Sequence, residues 1–318
     1  MFWLLVLWCI MKEIFLYGFP VTKISRQIFV FPETGMREKR NYFWKDGKRL
    51  AVGERPLVMG ILNVTPDSFS DGGRWNTTEA ARAHLAAMIA GGADIVDVGA
   101  ESTRPYSAVL TAAEETERLF SFLPFLLQET SVPISVDTYH WQTAEKALSA
   151  GAHILNDVWG FQYDGGEMAQ VCAAARVPVV LMHNRTDENE PGDIMDILKN
   201  FLTRSVEMAL AAGVAEKNII LDPGLGFGKT TAQNLEILRR IEELTALPFP
   251  ILLAPSRKRF IGAALGNLPA AERDEGTGAV CFYGAEHGCE MVRVHDVKMT
   301  ARMLKMGNVL FGLTETEG

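Results

Sequence analysis

The chain has 318 residues, 48% of them hydrophobic, which is enough for one large buried core and excludes a disordered protein. Its formal net charge of -8 and isoelectric point near 5.4 argue against a nucleic-acid partner, because nucleic-acid backbones normally bind a basic surface. The cysteines show neither a CxxC pair nor a zinc-binding spacing with histidines. We therefore expect a cytoplasmic protein without disulfides, with reduced thiols at Cys9, Cys172, Cys281 and Cys289.

The first 40 residues differ in composition from the rest. Residues 1–11 are apolar, but Lys12 and Glu13 interrupt this run well before the roughly 20 residues that a membrane-spanning helix needs. The basic start and small-residue cleavage site of a secretory signal are not visible. We predict no membrane span and interpret residues 1–40 as an N-terminal extension, with Met36 as a candidate start. An anchor on a membrane surface is the alternative.

A β-hairpin is predicted next. The aromatic residues 42–44 lead to Asp46 and Gly47, and residues 48–51 follow as a second short strand. An Asp-Gly pair between two such strands is typical of a two-residue hairpin turn. We assign residues 41–318 to one domain. We expect the hairpin to close the bottom of this domain.

Residues 57–73 then combine a buried strand with a polar loop. The run 57–62 is apolar without helical spacing, as in a strand that is buried on both faces. The loop from Asn63 to Gly73 offers an amide, hydroxyls and carboxylates, together with one large apolar side chain, Phe69. Long connections in compact domains are uncommon unless they bind something, so this loop is a candidate binding segment. A surface connection is the alternative.

The strand-then-helix pattern recurs along the rest of the chain. The predicted strands are 57–62, 93–98, 133–136, 153–155, 178–182, 218–221, 251–254 and 291–294. The predicted helices are 77–91, 111–129, 143–150, 167–176, 194–212, 232–245, 277–287 and 297–306.

Eight such units predict an α/β fold of the (β/α)8 TIM-barrel type, with an N-terminal β-hairpin and a short N-terminal extension. An open, doubly wound sheet is less favoured, because the glycine-rich dinucleotide turn after the first strand is missing.

In a barrel of this type the active site lies at the carboxyl ends of the strands. For any single Asp or Asn at such a position, capping the next helix is as plausible as a functional role. A whole ring of polar residues instead indicates a phosphorylated, heterocyclic ligand. The ring consists of Asn63, Glu101, Ser102, Thr103, Arg104, Asp137, Asn156, His183, Asp222, Ser256, Arg257, Lys258, Arg293 and His295.

The stretch DPGLGFGKT, residues 222–230, resembles a phosphate-binding loop only superficially. The Walker pattern requires a glycine five residues before its Gly-Lys pair, and Pro223 occupies that position. The glycines more plausibly allow the backbone to pass close to a flat ligand that Asp222 holds, with Phe227 as a wall of the pocket.

Taken together and in this order, five stretches resemble the motifs of the dihydropteroate synthases, a family of transferases of folate and tetrahydrofolate biosynthesis. They are residues 59–73, ESTRP at 101–105, DPGLGFG at 222–228, SRK at 256–258 and RVHD at 293–296. The resemblance implies condensation of 4-aminobenzoate with 6-hydroxymethyl-7,8-dihydropterin pyrophosphate, with Mg2+ as cofactor and a homodimer as the assembly. It also implies that sulfonamides, which imitate 4-aminobenzoate, are inhibitors.

The resemblance also implies roles for individual residues. The pterin would be held by Asp137, Asn156, Asp222 and Lys258. Asn63 would bind the metal, and Thr103, Arg293 and His295 would serve the pyrophosphate. The benzoate pocket would contain Phe69, Pro105, Phe227 and Lys258. Arg104 completes the expected substrate-binding set, and Met182 is either a pocket wall or core. The expected catalytic residues are Asp137, Lys258, Arg293 and His295.

These roles agree with the chemistry of the substrates. A pterin presents a ring N–H beside an amino group, and a carboxylate such as Asp222 accepts both donors. The oxo group and ring nitrogen are acceptors, which suits Lys258. Pyrophosphate favours cations, so Arg293 and His295 beside a magnesium ion are chemically sensible.

The chain departs from the expected pattern at two positions. Tyr106 follows ESTRP, where a glycine is expected, and Arg259 follows Lys258, where some members have a serine that helps to hold the benzoate carboxylate. Two other functions stay open from the sequence. One is a methyltetrahydrofolate-binding barrel of a corrinoid methyltransferase, and the other is a non-catalytic pterin-binding paralogue.

Overall fold

A computed structural model describes residues 39–64, 77–101, 109–188 and 191–310. The chain divides into two units, Met1–Met36 and Arg37–Gly318, and all described residues lie in the second unit. The binding segment predicted around Phe69 and most of the ESTRP stretch fall outside the described residues.

Eight parallel strands form the centre of this unit. They are β3 Leu57–Asn63, β4 Ile95–Gly99, β5 Ile134–Asp137, β6 Ile154–Asp157, β7 Val179–Met182, β8 Ile219–Asp222, β9 Leu252–Leu253 and β10 Met291–Val294. Their order in the sheet is β8-β7-β6-β5-β4-β3-β10-β9, and a parallel bridge between Leu221 and Ile251 joins the two ends of the sheet. The predicted (β/α)8 barrel is thereby confirmed.

Helices follow the strands and cover the outside of the barrel. They are α1 Thr77–Gly91, α2 Ala112–Phe120, α3 Leu123–Glu129, α4 Trp141–Ser149, α5 Glu167–Ala175, α6 Ile194–Ala212, α7 Thr231–Arg239, α8 Glu242–Thr245, α9 Arg259–Ala264, α10 Asp274–Glu286 and α11 Val297–Leu310. None of the described helices is long and apolar enough to cross a membrane.

The largest differences from the predicted helices are three. The helix predicted over 111–129 is split into α2 and α3, because Pro124 lies in the first turn of α3, where a missing N–H is tolerated. The helix predicted over 232–245 is likewise split at Arg240. The sequence prediction also missed α9, which follows β9 directly after the SRK stretch.

The alternation of side chains along each strand builds two different surfaces. One set faces the helices, and the other set fills the inside of the barrel. Inside, the lower layer is apolar and buried, with Met59, Ile95, Ile154, Val180, Ile220, Leu252 and Met291. Two residues further along four of these strands, the inward position is polar: Asp97, Asn156, Asp222 and Arg293. The polar residues therefore lie directly above an apolar floor.

The predicted hairpin closes the lower end of the barrel. Strands β1 Arg40–Phe43 and β2 Arg49–Val52 pair antiparallel, and Tyr42, Leu50 and Val52 pack on the apolar floor. The turn is longer than predicted, because Trp44 pairs with Lys48 and leaves three residues between them, with Gly47 at a φ of 86°.

Candidate active site

The upper end of the barrel brings the predicted strand-end residues together. In the sheet, Asn63 is aligned with Gly99, Gly99 with Asp137, and Asp137 with Asn156. On the other side of the barrel Asp222 is aligned with Met182. Because all eight strands are parallel, these side chains meet at one mouth, as the sequence predicted.

Arg293 is the centre of the charged network at this mouth. Its Nε donates to Oδ2 of Asp97 at 2.6 Å, and its Nη2 donates to Oδ2 of Asp137 at 2.7 Å. The amide nitrogen of Asn156 donates to the same oxygen of Asp97 at 3.1 Å. The side chain of Asp97 is fully buried, and those of Arg293 and Asp137 are only 17% and 12% exposed. One cation therefore holds two enclosed carboxylates in place.

Sequence reasoning missed Asp97, because it considered only positions that follow an apolar run. Asp97 lies inside the run, in the middle of β4. A signal was nevertheless present in the spacing. The pair Ile95 and Asp97 has the same two-residue spacing as Ile220 and Asp222, so both acids point into the barrel.

Burial changes the protonation of two of these acids. It raises the pKa of Asp137 to about 7, although the positive charge of Arg293 opposes this effect. It also raises the pKa of Asp222 to about 6, opposed by a hydrogen bond from the backbone N–H of Gly224 and by the charge of Lys258. Both carboxyl groups therefore exchange protons near neutral pH, which is common at functional sites.

The glycine-rich loop after β8 forms one side of the site. The N–H of Gly224 donates to Oδ1 of Asp222 at 2.7 Å. A side chain at Gly226, which has a φ of 81°, would come within 2.8 Å of the Lys258 side chain. The glycine thereby allows the Lys258 stem to pass over the loop; the predicted approach of the loop backbone to a flat ligand stays a prediction.

Lys258 and Phe227 form a cation–π pair. The ammonium nitrogen of Lys258 lies 4.0 Å from the centre of the Phe227 ring. The ring in turn packs against a small apolar cluster in which Met182 is buried, together with Tyr139, Val158 and Trp159. Met182 thus belongs to the wall behind Phe227.

Ser256 and His295 are brought together from β9 and β10. Oγ of Ser256 lies 2.8 Å from Nδ1 of His295, and the backbone N–H of His295 donates to the same oxygen at 3.0 Å. The middle residue of the SRK stretch behaves differently. Arg257 has a φ of 55° and forms two hydrogen bonds with Asp274, so it anchors the start of α10.

His183, which was predicted at the mouth, belongs instead to the core. It is buried, and its ring forms a T-shaped contact with that of Phe201, with 4.8 Å between the ring centres. Burial lowers the pKa of His183 to about 2, so the ring is neutral. His183 follows β7, and its ring packs against Phe201 of α6. The spacing of residues in the sequence does not reveal this contact between two elements.

Glu101 is the only residue of the ESTRP stretch within the described part of the chain. One of its carboxylate oxygens accepts a hydrogen bond from the hydroxyl of Tyr139 at 3.0 Å. The other lies 3.6 Å from Nε2 of His140. Phe69, Thr103, Arg104 and Pro105, all predicted site residues, lie outside the described residues.

A magnesium ion would have to be held by few protein oxygens. Within residues 39–64, 77–101, 109–188 and 191–310, no group of three or more His, Cys, Asp or Glu side chains could hold a metal. However, the position that a Cβ atom would occupy at Gly99 lies 3.7 Å from both Oδ1 of Asn63 and Oδ2 of Asp137. That oxygen of Asp137 already accepts a hydrogen bond from Arg293, so the amide oxygen of Asn63 is the one that fits Mg2+, which often uses one or two protein oxygens together with substrate phosphates.

The chain matches the family described as pterin binding enzyme over residues 59–295. The match covers the whole arrangement of strand-end acids, amides and cations, and the chain therefore belongs to the pterin-binding enzymes.

Similar proteins define the family more closely. A dihydropteroate synthase from Bacillus subtilis is 51% identical over 257 residues, which cover 81% of this chain and 89% of that protein. One from Clostridium beijerinckii is 47% identical over 264 residues, covering 83% and 97%.

A solved dihydropteroate synthase from Clostridium difficile, determined in the presence of pteroic acid, has a TM-score of 0.79 at 45% identity, covering 82% of this chain and 98% of that chain. Another, from Xanthomonas albilineans with 4-aminobenzoic acid, has a TM-score of 0.81 at 38% identity, covering 86% and 99%. The chain is thus a member of the dihydropteroate synthase family. The predicted family and transferase class are confirmed.

Proposed function

We propose that this chain condenses 4-aminobenzoate with 6-hydroxymethyl-7,8-dihydropterin pyrophosphate to give 7,8-dihydropteroate and pyrophosphate. The observation that carries this proposal is the enclosed set of Asp97, Asp137 and Arg293 beside Asp222 and Lys258. Such a set offers a flat, polar heterocycle both acceptors and donors above an apolar floor.

The test is pyrophosphate release by the purified chain, measured with and without 4-aminobenzoate. Release that depends on 4-aminobenzoate is expected. Binding of a pterin analogue without any release would identify a non-catalytic paralogue. Transfer of a methyl group from methyltetrahydrofolate to a corrinoid would identify the other alternative.

In the proposed pterin pocket, Asp222 accepts the ring N–H and the amino group, and Lys258 donates to the oxo group and ring nitrogen. Asp137 and Asn156 complete the pocket from the adjacent strands β5 and β6. The alignment of Asp137 with Asn156 in the sheet supports this division of the ring contacts.

Pyrophosphate would be held beside the pterin pocket, at Arg293. Arg293 donates to Asp97 and Asp137 through two N–H groups, and a guanidinium has five such donors. His295, oriented by Ser256, and Thr103 would add further contacts. Asn63 would help to hold Mg2+, which when bound would neutralise the charge on the phosphate oxygens.

The benzoate pocket would be formed by Phe69, Pro105, Phe227 and Lys258. The short distance between Lys258 and the Phe227 ring supports placing an aryl carboxylate there. Sulfonamides would then compete with 4-aminobenzoate. Inhibition that does not change when 4-aminobenzoate is added would contradict this placement.

The reaction is proposed to begin with cleavage of the bond between the pterin methylene and pyrophosphate. The bonding electron pair leaves with the oxygen, and a cationic methylene remains. Arg293 and His295 stabilise the departing anion, and ionised Asp137 stabilises the cation through the conjugated ring. The arylamine nitrogen then attacks the methylene and loses a proton.

This order of steps is tested by Asp137→Asn in single-turnover experiments. The rate of bond cleavage should fall more than the pterin affinity, because only the cleavage step develops the positive charge. Oxygen scrambling within bound pyrophosphate should also occur without 4-aminobenzoate. Equal losses in rate and affinity, with no scrambling, would favour direct displacement.

We further propose that residues 41–318 are the catalytic unit, that the protein forms a homodimer and that it works in the cytoplasm. The family match over residues 59–295 supports the first point. The exposed apolar side chains of Met306 and Leu310 on α11 are compatible with a subunit contact. A chain that starts at Met36 should retain activity, and sedimentation would give its subunit number.

A further inference from the structure

Lys229 has a position that the proposed function does not explain. It lies near the end of the loop after β8 and is only 4% exposed. Lysine is rarely buried to this extent unless its ammonium group is paired. Burial lowers the pKa of Lys229 well below its ordinary value, while the charge of Asp222 acts in the opposite direction.

The ammonium group of Lys229 is surrounded by backbone carbonyls. Nζ donates to the carbonyl oxygens of Gly224 at 2.8 Å, Phe227 at 3.0 Å and His183 at 3.5 Å. An ammonium has three N–H donors, which matches these three acceptors. The carbonyl oxygens would repel phosphate oxygens, so the Gly-Lys-Thr sequence does not make Lys229 a pyrophosphate ligand.

The three acceptors tie two strand ends together. Gly224 and Phe227 belong to the loop after β8, and His183 follows β7. The two segments are packed very closely, because a Cβ atom at Gly224 would overlap the carbonyl oxygen of His183. Lys229 therefore holds the loop against the end of β7 at the place where no side chain fits between them.

The loop that Lys229 holds carries two parts of the site. Its Phe227 ring lies under the ammonium of Lys258, and its Gly226 accommodates the Lys258 side chain. The N–H of its Gly224 donates to Asp222. A change in the loop backbone would therefore move the wall of the benzoate pocket and the partners of both pterin-binding residues.

We propose that Lys229 is a positioning residue of the reaction, which holds the loop after β8 so that Phe227 and Lys258 face the two substrates. This inference rests on the proposed function. It concerns a side chain that contacts neither substrate and acts only through the loop backbone.

The first experiment compares Lys229→Met with the wild-type chain. Methionine keeps the length of the side chain but donates no hydrogen bonds. The affinity for a pterin analogue should fall by about tenfold or more, and the KM for 4-aminobenzoate should rise by about tenfold or more. Both changes are expected because the buried carbonyls lose their donor and the loop shifts. Lys146→Met, an exposed lysine on α4, is the matched control and should behave like the wild type.

A double variant separates positioning from simple stabilisation. If Lys229 acts through Phe227, then the double variant Lys229→Met with Phe227→Leu should lose less affinity for 4-aminobenzoate than the product of the two single fold-losses. If the two residues act independently, the two fold-losses multiply. Multiplied losses would overturn the proposal, as would a Lys229→Met chain that unfolds at lower temperature but keeps wild-type KM and affinity.

Lys229→Gln, which retains two donors, serves if the methionine variant does not fold, and it should show an intermediate loss. If neither variant folds, Lys229 has a structural role only and the proposal is wrong. Pyrophosphate release by the wild-type chain tests the proposed function separately. Affinity for the pterin analogue still reports on Lys229 if that release is absent.

Discussion

Two arginines at opposite ends of the barrel have opposite surroundings. Arg40, in the hairpin at the lower end, donates to the carbonyl oxygens of Lys217 at 3.0 Å, Ile219 at 2.9 Å and Pro248 at 2.7 Å. Arg293, at the upper end, donates to two enclosed carboxylates. One arginine thus binds neutral carbonyl groups near solvent at the lower end of the barrel. The other binds charged carboxylates away from solvent at the upper end.

This difference explains how one fold separates stability from chemistry. Neutral carbonyls around Arg40 keep the hairpin in place without placing charges against each other. At the mouth, acids are buried next to a cation, so each gain or loss of a proton changes the balance of the whole network. A charged ligand at the upper end can therefore change the proton balance of this network. Substitutions at the same end should change activity.

The largest effect is expected for Arg293→Met. It would leave Asp97 and Asp137 buried without their cation, which costs about 3–5 kcal/mol of unfolding free energy. Turnover should fall by about 10²–10³-fold, because a stabilising group for the departing anion is lost. Urea unfolding and pyrophosphate release measure the two effects. Arg293→Lys keeps the charge and should lose less stability; equal losses would mean that the charge is unimportant.

The second prediction concerns the pH dependence of Asp137. Its pKa is raised from 3.8 to about 7, so between these values the folded chain keeps a proton that the unfolded chain has lost. The stabilisation from this proton is complete below pH 4 and is lost as the pH rises through about 7. Relative to Asp137→Asn, the wild-type chain should therefore lose about 2–4 kcal/mol of unfolding free energy over this range.

Asp46 in the lower hairpin provides the control for that measurement. Burial opposes its ionisation, yet hydrogen bonds from Lys48 and His153 lower its pKa well below the usual value. Its stabilisation is present above pH 4 and is lost only in more acidic solution. The difference between the wild type and Asp46→Asn should thus stay constant from pH 7 to 8, above the titration of its partner His153, whose pKa burial lowers. Parallel curves for Asp137→Asn and the wild type would contradict the burial effect.

The third prediction is smaller and concerns binding alone. Asp222→Asn turns one acceptor oxygen into a donor that faces a donor of the pterin, which should weaken binding of a pterin analogue by about 1–3 kcal/mol. Isothermal titration calorimetry measures this change. Asp196→Asn, an exposed acid in the first turn of α6, is the matched control and should bind normally. Wild-type affinity in Asp222→Asn would remove this residue from the pocket.

Much of this arrangement could be predicted from the sequence, because buried strands are short apolar runs and the first polar residue after each run lies at one end of the barrel. Asn63, Asp137, Asn156 and Asp222 were found in this way, and α1 and α6 have the predicted bounds. This signal is local in the sequence, because it depends only on the residue at which each apolar run ends.

What the sequence could not give are contacts between distant residues. Arg293 and Asp97 are 196 positions apart, so their pairing depends on closure of the barrel rather than on any pattern near either residue. The core position of His183 depends on packing against Phe201 in a different element. The role of Lys229 depends on three carbonyl oxygens whose directions only the folded loop determines.

The smallest effect is expected at the lower end of the barrel. Arg40→Met removes hydrogen bonds to carbonyls, most of which are exposed, so water can replace the lost donor for Glu216, Lys217 and Pro248. Only the bond to Ile219 is partly buried. The loss should be about 1–2 kcal/mol of unfolding free energy.

Activity should be unchanged in Arg40→Met, because the apolar floor separates the hairpin from the mouth. Urea unfolding and kcat, measured on the same preparation as Arg293→Met, test both statements. A loss of kcat comparable to that of Arg293→Met would mean that the two ends of the barrel are coupled. In that case the floor of Met59, Ile95 and Ile220 would transmit changes in the hairpin to the acids above it.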